Sequence, residues 1–155
     1  MLYPTFESPF MFEEEQRTVK DVVAPKFDQE EEKLKVNGVG KAVIGDEKDA
    51  YRFWVMKCLL TERYRYSAYS SDFGVEIERI VRANYPRTVA ESEIQRTITE
   101  ALSVDERTVS VGEFSFKWEG DSLWVTLIVE SIFDAEIYEL KKSGEEVGNV
   151  KVRTA

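Results

Sequence analysis

Three carboxylates near the middle of the chain have the types and spacing that acid–base chemistry could use. Glu62, Asp72 and Glu76 lie close together in the sequence, and a glycoside hydrolase needs one protonated and one ionised carboxyl group. The chain has 30 acidic residues, so such a grouping also arises by coincidence. A carboxylate-based peptidoglycan hydrolase is therefore one hypothesis, and a set of solvated surface carboxylates is the other.

Composition excludes most other catalytic machinery. The chain has no histidine, which removes Ser-His-Asp and Cys-His catalysis and histidine-ligated zinc. Its one cysteine, Cys58, lies in an apolar segment, which is typical of a buried packing thiol. Gly38, Gly40 and Lys41 lack the spacing of a phosphate-binding loop and predict a turn instead. We expect no cofactor and no metal.

An aromatic and basic stretch, TERYRYSAYSSDFG, directly follows the apolar segment. Stacking of nucleic-acid bases on its rings would be one use, but a net charge of −9 argues against a partner with a phosphate backbone or an acidic membrane. Exposed tyrosine and arginine are also enriched at protein interfaces. We therefore interpret the stretch as a tyrosine-rich bend that contacts another protein through Arg63, Tyr64, Arg65, Tyr66 and Tyr69.

The length and apolar content predict one globular unit. A chain of 155 residues with 43% hydrophobic residues can bury a substantial core. The sequence has no apolar run long enough to span a membrane and no charged-then-apolar start, so we expect neither a span nor a secretory signal. We expect the protein to be made and kept in a cytoplasm.

The elements that must position these residues form an α+β pattern of three central helices followed by an antiparallel β-hairpin. The first helix begins at a predicted N-cap, Asp49, and its apolar face includes Trp54. The second begins near Ser71 and turns Val81 inward. The third begins at Thr88, and Thr88 with Glu91 fits a capping box.

The hydrophobic period changes to two after the third helix. The alternation predicts a hairpin with a β-bulge near Gly112 and a turn at residues 119–122. Residues 1–40 form an N-terminal arm with a loose strand or hairpin region, residues 41–140 form the α+β core, and residues 141–155 form a C-terminal strand arm. The tail has Val147, Val150 and Val152 between charged residues, which predicts a strand without a local partner.

The order of these segments resembles a known family. The bend at the end of an apolar helix, then VEIERIV, then SEIQRTITEAL, then Asp105-Glu106-Arg107 before a hairpin is similar to the baseplate wedge or sheath-initiator family of contractile phage tails. Within that family, the chain resembles the XkdS-like baseplate proteins of phages and phage-tail-like bacteriocins. The family has a Glu-Pro-Arg signature, and here Asp105 and Arg107 keep its charged ends without the proline.

The resemblance implies an assembly role without chemistry, although some members of the family were long labelled lysozyme-like. Such a protein binds baseplate wedge proteins, contacts the tail sheath protein and tube or hub neighbours, and forms a six-fold ring in the virion or phage-tail-like particle. It would template the first sheath ring by strand exchange. The implied interface adds Asp105, Arg107, Val150 and Val152 to the bend residues. A generic protein-binding adaptor is the alternative.

Overall fold

Three helices precede a four-stranded antiparallel sheet in the computed structural model, which describes residues 24–28, 33–143 and 149–154. The elements are β1 (Phe27–Asp28), β2 (Lys33–Leu34), α1 (Glu47–Leu60), α2 (Ile77–Arg82), α3 (Arg87–Leu102), β3 (Thr108–Glu119), β4 (Ser122–Ser131), β5 (Ala135–Ser143) and β6 (Asn149–Thr154). The predicted α+β order, with three central helices before antiparallel strands, is confirmed. The sheet is larger than the single hairpin that was predicted.

Helix α1 begins three residues earlier than the sequence predicted. Asp46, rather than Asp49, is the N-cap, and its Oδ1 accepts a hydrogen bond from the Asp49 amide at 2.8 Å. Asp49 lies in the first turn, where its carboxylate is 3.4 Å from the Lys26 ammonium. Both aspartates favour a helix start, so propensity alone could not choose between them.

Helices α2 and α3 also differ from prediction at their starts. α2 begins at Ile77, where the Glu62 carboxylate accepts hydrogen bonds from the Glu78 and Arg79 amides at 3.2 Å each. Val81, which was predicted to turn inward, is exposed. α3 begins at Arg87 after Pro86, and no capping box forms. Glu91 instead accepts a hydrogen bond of 2.9 Å from the Trp118 indole. A tertiary partner therefore replaces the local cap.

The four long strands form a meander in the order β3-β4-β5-β6, with every pair antiparallel. Alternate residues of β4 are buried against the helices, as the two-residue period requires. The pairing of β3 with β4 shifts between Gly112 and Ser115, where Glu113 has a φ of 51°. This register shift lies at the position where the sequence predicts a bulge.

The core joins α1, α3 and one face of the sheet. Cys58 is fully buried, as predicted, and burial raises the pKa of its thiol to about 11, so the thiol stays protonated at neutral pH. Trp54 is half-buried rather than fully enclosed, and it packs on the core beside Tyr51, with 6.1 Å between the ring centroids. Both residues pack within α1, consistent with its interpretation as a largely buried helix.

The C-terminal residues contradict the prediction of a strand without a local partner. β6 pairs with β5 over residues 149–154, and its Val150 and Val152 side chains are 5% and 7% exposed. The alternation in the tail was read correctly as a strand, but the pairing partner is in the chain itself. Residues 1–23 of the predicted N-terminal region 1–40, and Val147 of the tail, lie outside the described residues.

A chain that ends at Ser143 should lose stability, because it lacks β6. Burying each of the two valines contributes about 1.5–3 kcal/mol, so the free energy of unfolding should fall by roughly 3–6 kcal/mol in a urea titration. As a control, Lys151→Ala in the full chain removes an exposed side chain of the same strand and should change the value by less than about 0.5 kcal/mol. An unchanged unfolding midpoint in the shortened chain would restore the interpretation as a separate arm.

Candidate protein-interaction surfaces

Seven of the nine predicted interface residues fall on two separate surfaces near opposite ends of α1, and the other two, Val150 and Val152, are buried in β6. The turn surface is the α3–β3 turn with the exposed residues around it, namely Val104, Glu106, Val109 and Ile132. The bend is residues 61–74. Arg107 lies over Tyr51 in the first half of α1, whereas the bend begins at Thr61. At 1.5 Å of rise per residue, about 15 Å of helix separates the two places.

Asp105 and Arg107 form a closed ion pair within the turn. The guanidinium Nε and Nη2 donate to the two carboxylate oxygens at 2.8 and 2.6 Å, and the Arg107 amide donates at 2.9 Å. The hydrogen bond to Asp105 raises the pKa of Arg107. Burial acts to raise the pKa of Asp105, but the hydrogen bonds and charge of Arg107 outweigh it and leave that pKa lowered. Both groups are thus ionised at neutral pH.

Arg107 also joins the turn to two other elements. Its guanidinium lies 5.3 Å from the centre of the Tyr51 ring on α1, and the Tyr51 hydroxyl is 2.8 Å from the Thr108 hydroxyl. The Arg107 carbonyl accepts the Ile132 amide, in the β4–β5 turn, at 3.0 Å. The arginine therefore acts as a positioning residue that holds three elements together.

Apolar side chains, rather than the arginine, are what the turn surface presents to solvent. Val104, Val109 and Ile132 are 57%, 59% and 62% exposed, and Glu106 beside them is exposed as well. The Arg107 side chain is only 24% exposed. Exposed apolar residues grouped around a rigid turn are a typical protein-contact surface. Sequence reasoning missed these four residues, although they flank the recognised Asp105–Arg107 pair.

The bend presents a row of aromatic rings in contact with one another. Tyr66 and Tyr69 meet edge to face with 6.1 Å between centroids, and Tyr69 and Phe73 lie 4.8 Å apart. The Lys57 ammonium is 4.8 Å from the Tyr69 ring. Tyr64 is 69% exposed and has a φ of 67°, which is unusual for a residue with a side chain. The tyrosines are therefore available to a partner.

The two arginines of the bend differ in accessibility. The Arg63 side chain is only 10% exposed, and it donates to the Gly74 carbonyl at 3.2 Å. It also lies 3.7 Å from Glu100 on α3. Arg65 is half-exposed and pairs with Glu78 at 2.8 Å. Arg63 therefore holds the bend together from inside, and Arg65 is the arginine that a partner could reach.

Gly74 closes the bend at a position where only glycine fits well. Its φ is 99°, and a Cβ atom there would lie 2.7 Å from the Thr61 carbonyl oxygen. The same backbone makes two hydrogen bonds of 2.9 Å, from the Arg63 amide to the Val75 carbonyl and from the Val75 amide to the Thr61 carbonyl. The ends of the bend are thus tied, and its tyrosines project from a fixed base.

Two of the three carboxylates that suggested a hydrolase, Glu62 and Glu76, form hydrogen bonds or ion pairs within the fold. Glu62 caps α2 through two amides, and Glu76 is 9% exposed with the Arg79 Nε at 3.3 Å. Asp72 is exposed on the bend.

The described residues contain no cluster of three or more metal-ligand side chains. Among them, no helix is long and apolar enough to cross a membrane.

Exposed apolar and aromatic side chains on two separate surfaces of a small α+β domain are typical of a protein that binds other proteins. The contractile injection system sheath initiator family matches residues 24–134, and the chain belongs to this family. It is 38% identical over 85 residues to the phage-like element PBSX protein XkdS of Bacillus subtilis (strain 168). The aligned segment covers 54% of this chain and 60% of that relative. The resemblance to this family that was inferred from sequence is thereby confirmed.

Asp105→Asn should destabilise the chain at neutral pH, and its effect should disappear in acid. Because the folded-state pKa of Asp105 is lowered, its contribution to stability is present above the unfolded-state pKa and is lost as the pH falls below about 4. Urea unfolding of both chains at pH 7 and in strong acid measures the difference. Asp121→Asn, in the exposed β3–β4 turn, is the control. A difference that persists unchanged in acid would contradict the ion-pair explanation.

Proposed function

We propose that this chain is the sheath initiator of a contractile baseplate, which binds wedge proteins and templates the first sheath ring. The family match over residues 24–134 is the observation that carries the proposal. The particle is a phage or a phage-tail-like bacteriocin, assembled in the cytoplasm of the bacterial host. Six copies form a ring there, next to the tail tube or hub.

The turn surface is the wedge-binding site in this proposal. Three exposed apolar side chains surround a turn that the Asp105–Arg107 pair makes rigid. A rigid surface loses little conformational entropy on binding, and its apolar side chains are desolvated there. Arg107 contributes by holding the turn, and the exposed bend tyrosines contact a second neighbour.

Ile132→Asp should weaken wedge binding without unfolding the chain. Ile132 is 62% exposed and lies against the Arg107 turn, so a buried carboxylate at the interface should reduce affinity at least about tenfold, or 1.4 kcal/mol. Co-purification with tagged wedge protein measures the loss. Arg107→Ala should weaken binding as well, since it loosens the turn.

Val39→Asp is the matched control for the wedge experiment. Val39 is 83% exposed in the β2–α1 connection, distant in sequence from the turn surface, and the same apolar-to-acidic change should leave co-purification intact. Thermal melts of all variants separate binding from folding. Full retention of wedge protein by a folded Ile132→Asp chain would remove the turn surface from the proposal.

The templating step uses the outer edge of β6. One edge of β6 pairs with β5, and residues 150–154 pair with no other residue in the described ranges. An exposed edge offers main-chain donors and acceptors to an incoming strand. Since Val150 and Val152 are buried, β6 stays in place and receives a strand of the first sheath subunit. Lys151 and Arg153, which are exposed on β6, favour an acidic partner strand.

A disulfide staple between β5 and β6 tests whether β6 remains in place. Glu139 and Lys151 are direct cross-strand neighbours, so Glu139→Cys with Lys151→Cys should lock the two strands under oxidising conditions. Baseplates that contain the stapled chain should still grow sheath from purified subunits, as seen by electron microscopy. The unstapled single variants are the controls. Sheath growth that stops on oxidation and returns on reduction would show that β6 must leave.

Finding the chain in purified tails would separate this role from that of a generic adaptor. The expected result is a fixed stoichiometry with the wedge proteins in the particle. Loss of the chain should yield tubes on baseplates without sheath, and supply of the wild-type chain should restore contraction. A chain that is absent from purified particles would overturn the assembly role.

A further inference from the structure

A groove of about 430 Å³ runs between α1 and the bend. Its lining consists mainly of apolar and aromatic side chains from β1, α1 and the bend, namely Phe27, Phe53, Met56, Leu60, Tyr66 and Tyr69. Tyr66 and Tyr69 are 54% and 37% exposed. The edge-to-face rings of Tyr66 and Tyr69 form one wall, and the backbone hydrogen bonds at the base of the bend fix that wall relative to α1.

The charge of this groove is unusual for so acidic a chain. Lys57 is its one charged lining residue, and no carboxylate lines it, whereas the whole chain has a net charge of −9. The Lys57 ammonium lies over the Tyr69 ring and forms no ion pair with any residue in the described ranges. Lys57 lies in the last turn of α1, where the negative end of the helix dipole stabilises its positive charge.

A groove with apolar walls and a single cation at its rim is suited to a peptide segment that combines large apolar side chains with a carboxylate. Large apolar side chains would fill the groove, and a carboxylate immediately beside them would pair with Lys57. The chain's own sequence contains this combination at residues 10–15, Phe-Met-Phe-Glu-Glu-Glu. Three consecutive glutamates allow one carboxylate to reach the ammonium in more than one register.

We propose that this groove binds residues 10–15 of a second copy of the chain. The aromatic residues enter between α1 and the bend, and a following glutamate pairs with Lys57. This inference rests on the proposed function, because a baseplate ring holds neighbouring copies side by side and raises the local concentration of the segment. The groove would then link copies around the ring, while the turn surface contacts the wedge.

The test is a binding titration with a synthetic peptide of residues 8–16, Ser-Pro-Phe-Met-Phe-Glu-Glu-Glu-Gln. The fluorescein-labelled peptide at low concentration is titrated with the full chain, and fluorescence anisotropy reports binding. Saturable binding is expected. A peptide with glutamine in place of all three glutamates should bind roughly fivefold more weakly, since an exposed ion pair contributes up to about that factor. A peptide with serine in place of both phenylalanines should not bind measurably.

Matched variants of the chain locate the binding site. Lys57→Glu and Tyr66→Ser should each weaken peptide binding at least fivefold. Lys41→Glu reverses another exposed cation, and Tyr85→Ser removes an exposed tyrosine that lies outside both the bend and the groove, so neither should change affinity. Thermal melts confirm that all four variants are folded. Equal effects of the groove and control variants would overturn the proposal.

Two further outcomes would also overturn it. A peptide that binds only a chain beginning at Ala24, and not the full chain, would assign the groove to the same copy's own residues. An absence of binding to either chain would leave the groove to a different partner. These results are independent of the wedge and sheath experiments, so the groove inference can fail while the sheath-initiator role stands.

Discussion

The packing around Tyr51 is the constraint on which the rest of this structure depends. The ring is 2% exposed in α1, and it meets Arg107 on one side and Phe133 at 6.2 Å on another. Its hydroxyl reaches Thr108 at the start of β3. Burial raises the pKa of this phenol, so it remains a neutral hydrogen-bonding group. A single side chain thereby joins the helical layer to both turns of the turn surface.

One residue after Tyr51 in α1, Arg52 makes a second contact with the sheet, which is polar and largely buried. Arg52 pairs with Glu136, whose side chain is only 4% exposed, and the Tyr138 hydroxyl donates to the other Glu136 oxygen at 3.1 Å. Burial, followed by the charge of Glu136, raises the pKa of Tyr138. An ion pair of this kind adds little net stability, but removal of one partner leaves an uncompensated buried charge. It therefore specifies how the sheet lies on α1.

These contacts explain why the two exposed surfaces are rigid and separate. The turn surface is fixed by the ion pair at Arg107, and the bend is fixed by Arg63 and the backbone around Gly74. Helix α1 lies between them and sets their spacing. In the proposed role each surface must meet its partner in one orientation, and a rigid surface loses little conformational entropy on binding. The outer edge of β6 is positioned by the same sheet.

The α+β order, the burial of Cys58 and the family were predictable from the amino-acid sequence, because they follow from local periodicity and motif order. Tertiary structure decided the rest. The Glu62 carboxylate sets where α2 begins, Trp118 takes Glu91 away from a capping box, and β5 provides the partner that the tail appeared to lack. The accessibility of Arg63 was likewise unpredictable, since it depends on Gly74 and Glu100. The side-chain contacts join residues 11 or more positions apart in sequence, and local propensity contains no information about such a partner. β5 and β6 are consecutive strands, and the partner of the tail was missed because residues 135–143 were not predicted to form a strand.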